Sequence, residues 1–181
     1  MKHLVEPISS KKDIAAVEAY LAEKNPRNRL IFVFGINSGL RVSDILSLNI
    51  GDVRGKTHIE IKEKKTSKYK KFPINDKLKK LLADFVNDKS DNEPLFLSQK
   101  NHRLDRSQVY RMLNEACASV GITEKIGSHT MRKSFGYHHY KLFKDVSMLQ
   151  MIFNHSSPQI TLRYIGISQD EIDNSYKLFT L

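Results

Sequence analysis

One short stretch of this sequence alternates apolar and polar residues with a period of two, while the chain around it repeats at the spacing of helices. Ile59 and Ile61 are separated by Glu60 and followed by Lys62, and Phe72 and Ile74 alternate again beyond a polar run from Lys65 to Lys68. Alternating side chains line one face of a strand, so the pair reads as a small antiparallel hairpin with its charges outside. Pro73 has no N–H to give to a ladder and suits an edge. Upstream, Ser10 and Asp13 have the form of a capping box, and Ile14, Val17 and Leu21 place a helix over residues 11–24. Pro26 opens a second helix that runs to about Ile36, Gly39 breaks it, and a third is expected from about Val42 to Leu48. Downstream the helical period returns. Leu78, Leu81, Leu82 and Phe85 share one helix, and Asp105 caps another whose inner face holds Val109, Met112, Leu113 and Ala116 and which stops at Gly121. Ser128 is the expected cap of a helix reaching Phe143. Three shorter helices follow over 146–153, 158–165 and 169–179. The fold class is α+β: mainly α-helical, with a small antiparallel β-sheet.

The length of 181 residues is that of a single domain with a real core. The expected organisation is one domain over 1–181, with a short lead at 1–10, a tail helix within 167–181 and no separate N-terminal domain. One cysteine, Cys117, can form neither an internal disulfide nor a paired metal site, which fits a reducing, intracellular setting. No signal-peptide run opens the chain, and the longest mostly apolar run, residues 30–36, is far too short to cross a bilayer. A soluble, cytoplasmic protein is the expectation.

Charge then narrows the partner. The chain carries a net charge of +10, and residues 54–80 hold eleven Lys and Arg against three acids. A cluster of that density repels itself unless an anion neutralises it, and a nucleic-acid backbone is the usual one, although a solvated basic face accounts for the same composition. A phosphodiester handled without a metal needs a nucleophile and preorganised cations to stabilise charge on the non-bridging oxygens, and the leaving oxygen needs a proton. The sequence has no HExxH motif and no acidic cluster of two-metal type, so cations must do this work, and neither metal nor cofactor is expected.

The candidates come in a definite order. Arg41 lies in Ser38-Gly39-Leu40-Arg41-Val42-Ser43-Asp44, at a glycine break before a helix. Lys65 sits in the hairpin turn, with Lys64 and Lys68 as alternatives. His129 and Arg132 are three apart at a helix start, His155 lies in Asn154-His155-Ser156-Ser157, and Tyr164 follows nine residues after His155. Each has a plain structural reading alone: an ion pair of Arg41 with Asp44, a surface lysine, a capping histidine, a half-buried tyrosine. Together, the order Arg, Lys, His-x-x-Arg, His, Tyr resembles the active site of the tyrosine recombinases of the phage-integrase family, and the local motifs resemble that family's over about residues 10–181. Three positions depart from its commonest form: Asn154 and Ser67 stand where Gly is usual, and Lys133 where His is common.

The resemblance implies a site-specific recombinase that cleaves and rejoins DNA. In that reading Tyr164 attacks the phosphate to give a 3′-phosphotyrosyl link, Arg41, Arg132 and His155 hold the phosphate, Lys65 protonates the leaving 5′ oxygen, and His129 assists proton transfer or orients the phosphate. Lys62, Lys64, Lys68, Lys70, Lys71 and Lys133 are the expected DNA-backbone contacts. The expected partners are double-stranded DNA, bound with strong salt dependence, and further copies of the chain, four on synapsed DNA and one or a weak oligomer without it. The tail helix, with Ile172, Tyr176 and Phe179 on one face, would pack on a neighbouring protomer or on its own domain. The competing functions are a non-catalytic DNA-binding regulator on the same scaffold and a type IB topoisomerase. Tyr176 is the rival nucleophile.

Overall fold

The computed structural model describes residues 5–63, 67–167, 173 and 176–180. Among the described residues, eight α-helices and one hairpin follow in chain order: α1 Lys11–Lys24, α2 Pro26–Ser38, α3 Val42–Ile45, β1 His58–Lys62, β2 Tyr69–Pro73, α4 Asp76–Val86, α5 Arg106–Ser119, α6 Thr130–Phe143, α7 Val146–Phe153 and α8 Pro158–Ile165. The helical fold with its small antiparallel sheet is the one expected. The tail helix expected over 169–179 falls largely outside the described residues. No helix among the described residues is long and apolar enough to cross a membrane.

The middle helix α2 is the hub. Leu30, Ile31, Phe32, Val33 and Phe34 are all buried in succession, as a helix must be when neighbours cover every side. Those neighbours are α1, α4, α5 and α6. Asn25 caps the start of α2 through its side chain, with Pro26 in the first turn. The Ser10 hydroxyl accepts from the Asp13 amide as a cap of α1. A second, smaller cluster of Leu149, Phe153 and Ile165 joins α7 and α8 to the flank of α6. There α6 contributes Gly136, where an added Cβ would stand 2.6 Å from the Ile165 methyl and 2.7 Å from the Phe153 ring. Only a residue without a side chain lets the last two helices approach so closely.

Two helix boundaries differ from the expectation. The third helix stops at Ile45 instead of Leu48: the Ser47 and Leu48 amides turn to the carbonyls three residues back, Asp44 O and Ile45 O, and the Ser47 hydroxyl also donates to Asp44 O, while Leu46 O and Leu48 O beyond the helix accept from the Arg103 guanidinium. Ser128 does not cap α6. His129 occupies the cap position without a side-chain cap bond, and the Thr130 hydroxyl accepts from the Gly127 amide.

The hairpin pairs His58 with Pro73, Ile59 with Phe72, Glu60 with Lys71, Ile61 with Lys70 and Lys62 with Tyr69. With two strands both are edges, and Pro73 ends the second. Not all of its charges lie outside, since Lys70 shares the inner face with Ile59, Ile61 and Phe72.

Candidate active site

The first arginine is set by a turn that needs glycine. Gly39 ends α2 with φ of 61°, and an added Cβ would stand 2.5 Å from the Phe135 ring. Both the left-handed backbone and the close approach exclude a side chain. The chain then turns through buried Leu40 and Val42, which pin Arg41 at the start of α3. The Arg41 guanidinium lies 3.8 Å from the Asp44 carboxylate, the pair expected, and only 3.0 Å from Glu63, which was not singled out. Glu63 follows Ile59 and Ile61 at the same period of two, and its side chain is fully buried. That alternation was the signal that could have found it.

The second arginine works from below. Arg132 lies in the first turn of α6 and is 2% exposed. Its Nη1 donates to Gly39 O at 2.5 Å and its Nη2 to Phe153 O at 2.9 Å, with the guanidinium carbon 4.3 Å from the centre of the Phe153 ring. One side chain thus ties the turn before Arg41 to the turn before His155.

The turn between α7 and α8 carries His155. Asn154 has φ of 54°, the left-handed region where glycine is usual and asparagine is the best-tolerated substitute. Ser67, the other departure from glycine, likewise has φ of 55°. Asn154 also gives its amide to Glu63 at 3.3 Å, joining this turn to the hairpin and so to Arg41. His155 Nδ1 meets the Thr161 hydroxyl at 3.0 Å. The Thr161 hydroxyl also donates to Ser157 O at 3.3 Å, which ties the ring to the start of α8. Burial, then the charges of Arg132 and Arg41, push the His155 pKa down to about 4, so the ring is neutral at physiological pH.

Tyr164 closes the site from α8. Its hydroxyl is 3.0 Å from His129 Nδ1, and its ring stands edge-on to His155 and Phe153 at centroid distances of 5.1 and 5.5 Å. Burial raises its pKa, while Arg132 and then Arg41 pull the other way. An open cleft of about 370 Å³ beside it is lined by Val5, His129, Lys133, Ile160, Arg163 and Tyr164. Arg41, His129, Arg132, His155 and Tyr164 therefore converge, brought together from three separate stretches of chain.

The lysines divide. Lys64 and Lys65 lie outside the described residues. Lys62, Lys68 and Lys71 are exposed, with Lys71 paired to Glu60 at 2.7 Å. Lys70 and Lys133, both expected as DNA-backbone contacts, differ from the exposed lysines: both amines are buried without a hydrogen-bond partner. For Lys133 the reason is its place on α6, where its amine lies 5.3 Å from the centre of the Tyr164 ring. For Lys70 it is the strand register.

Fold and site together place a tyrosine hydroxyl among preorganised cations. Residues 10–171 match the phage integrase family. The chain is 48% identical over 178 residues to the probable integrase/recombinase YoeC of Bacillus subtilis (strain 168), covering 98% of each. It is 26% identical to the tyrosine recombinase XerC of Thermodesulfovibrio yellowstonii over 83% of this chain and 53% of that one, so it spans about half the length of that relative. Its fold is similar to the crystal structure of XerA recombinase, with a TM-score of 0.78 at 21% identity, over 96% of this chain and 65% of the other. The chain belongs to the phage integrase family.

Proposed function

We propose that this chain is a site-specific DNA recombinase that breaks and rejoins strands through a 3′-phosphotyrosyl link to Tyr164, without ATP. The observation that carries the reading is the Tyr164 hydroxyl at 3.0 Å from His129, beside Arg132 and His155. A phenol with a pKa of about 10 costs roughly 4 kcal/mol to ionise at neutral pH. His129 is placed to take that proton as the bond to phosphorus forms, and the two arginines offset the remainder. Arg41 and Arg132 clamp the non-bridging oxygens, and His155 is the further donor to the phosphate. Rejoining is the reverse attack, by a 5′-hydroxyl on the phosphotyrosine, so no energy source is consumed. The bond energy is held in the link.

Double-stranded DNA is the substrate. The excess of Lys and Arg over residues 54–80, with Lys62, Lys68 and Lys71 exposed, supports a backbone contact on the hairpin side. Further copies of the chain are the expected partners on DNA, and the tail beyond residue 166 is the segment to exchange between them. The protein works where chromosomal or phage DNA lies, in the cytoplasm. The test is a nicked candidate site incubated with wild type and Tyr164→Phe and resolved on a denaturing gel. A covalent protein–DNA adduct in wild type alone is expected. An adduct that survives in Tyr164→Phe would move the nucleophile elsewhere, and DNA binding with no adduct on a site the protein recombines in cells would favour the regulator.

A further inference from the structure

His129 and Lys133 stand one helical turn apart at the start of α6, so their side chains share one side of that helix. Both meet Tyr164. His129 Nδ1 lies 3.0 Å from the hydroxyl oxygen, and the Lys133 amine lies 5.3 Å from the centre of the ring. Lys133 is 4% exposed, and its amine has no hydrogen-bond partner among the described residues. The same side chain lines the open cleft beside Tyr164. Its surroundings differ from those of Lys70, which faces the carboxylates of Glu63 and Asp44 as well as the guanidinia of Arg132 and Arg41. Burial lowers the pKa of Lys133, and Glu6 in the lead acts to keep it charged. The lead is fixed along α6: the Thr130 hydroxyl donates to Glu6 O, and the Ile8 amide donates to the Ser134 hydroxyl. A buried ammonium without an acceptor is costly, and an apolar side chain would fill the same space without that penalty. As packing the residue is a poor choice. As a neighbour of a ring that must become negative it is a good one.

We infer that Lys133 is a positioning residue for the nucleophile: its ammonium stabilises the Tyr164 phenolate from the side of the ring, while the arginines act at the oxygen. The place of this effect in a reaction rests on the recombinase reading above. A phenolate shares its charge between the oxygen and the ring carbons, so a cation within about 4–6 Å favours the ionised form. With the neutral phenol the same cation gains only the weaker attraction of the ring face. The charged and titratable groups around Tyr164 come from every element packed on it: His129, Arg132 and Lys133 from α6, Arg41 from the start of α3, His155 from the turn before α8, and Arg163 from α8 itself. In that reading Arg41 and Arg132 also serve the phosphate, whose own negative charge repels the approaching phenolate. Lys133 is left to serve the tyrosine. It gives up no proton of its own: the phenol proton passes to His129, and the ammonium stays charged throughout.

The experiment replaces Tyr164 with a difluorinated tyrosine, whose phenol ionises at lower pH than tyrosine and whose fluorines report that ionisation by NMR. Wild type, Lys133→Met and Lys133→Arg are titrated without DNA, and the melting temperature of each verifies folding. The phenol of Lys133→Met should ionise about one pH unit higher than that of wild type, and that of Lys133→Arg within about 0.3 of it. Equal ionisation in wild type and Lys133→Met overturns the inference. On a nicked site, Lys133→Met with ordinary tyrosine should form adduct about 10-fold slower than wild type near neutral pH. With the fluorinated residue the gap should close to within about 2-fold at a pH that ionises the phenol in both proteins. A gap of the same size with either residue would make Lys133 a DNA contact or a packing residue and overturns the inference as well. Wild type that forms no adduct sinks the recombinase reading alone, because the titration without DNA still decides what Lys133 does to the phenol.

Discussion

Replacing Arg132 with methionine should weaken the fold as well as stop the chemistry, and the size of the first effect follows from its two bonds. The guanidinium donates to Gly39 O and Phe153 O, and both bonds are buried. A hydrogen bond from a charged donor contributes about 1.5–3 kcal/mol net, so losing two removes about 3–6 kcal/mol. Part of that returns, because burial of the charge and its repulsion by Arg41 already disfavour the protonated side chain. The methionine stem also keeps some contact with the Phe153 ring. A net loss of about 2–4 kcal/mol remains, which for a chain of this size lowers the melting temperature by about 5–15 °C. Denaturant unfolding followed by circular dichroism measures it. Tyr164→Phe is the control: its hydroxyl bond to His129 lies at the exposed rim, so its stability should change by less than about 1 kcal/mol although its activity is lost. If Arg132→Met unfolds within about 1 kcal/mol of wild type, the two carbonyl bonds do not hold the turns together and the structural half of the reasoning fails.

Gly136→Ala places a methyl against Ile165 and Phe153 at 2.6–2.7 Å. It should cost about 1–3 kcal/mol by overpacking and slow adduct formation further by pushing α8, and Tyr164 with it, away from α6; unchanged unfolding would show that the helices simply move apart at no cost. His155 gives a pH prediction with a definite sign. Its pKa falls from an unfolded value of about 6.5 to about 4, so the folded state binds fewer protons than the unfolded chain between those values. Stability therefore falls as pH drops from about 6.5 towards 4 and is unaffected by this ring above that window. Ring nitrogen shifts in labelled protein report the charge directly, and a His155 ring already protonated at pH 6 would contradict it.

Much of this architecture was legible because it rests on local rules. α7 and α8 begin and end where the apolar spacing, Asp145 and the Ser157-Pro158 pair place them, and the Asp105 box is reciprocal, with Gln108 returning the bond. What escaped the sequence depended on distant partners. The carbonyls just beyond α3, Leu46 O and Leu48 O, are held by Arg103, more than fifty residues away along the chain. The exact cap of α6 depends on how Thr130 reaches Gly127 and Glu6 O. Lys70 and Glu63 were read by their charge, as members of the basic segment over 54–80, when their position in a period was the better guide. Alternation places Lys70 and Glu63 inward however polar they are. The two turn residues that depart from glycine, Ser67 and Asn154, were visible as anomalies, and both keep the left-handed backbone that explains why glycine is usual there.

The two arginines are held by different kinds of partner, and that difference shapes the site. Arg132 is anchored by neutral backbone carbonyls, which fix its geometry without cancelling its charge. Arg41 is anchored by buried carboxylates, Glu63 closely and Asp44 less so, which position it while cancelling much of its field. Had both been held by carboxylates, the pocket would offer a phosphate little net attraction. Had both been held by carbonyls, two guanidinia and the Lys70 ammonium would repel one another in a desolvated space with nothing to offset them. The observed arrangement keeps the cations in place before DNA arrives, so little reorganisation is left for the reaction itself. It also means that the contacts fixing the Gly39 and Asn154 turns are made by the site's own side chains, so folding around α6 and assembly of the active site are the same event.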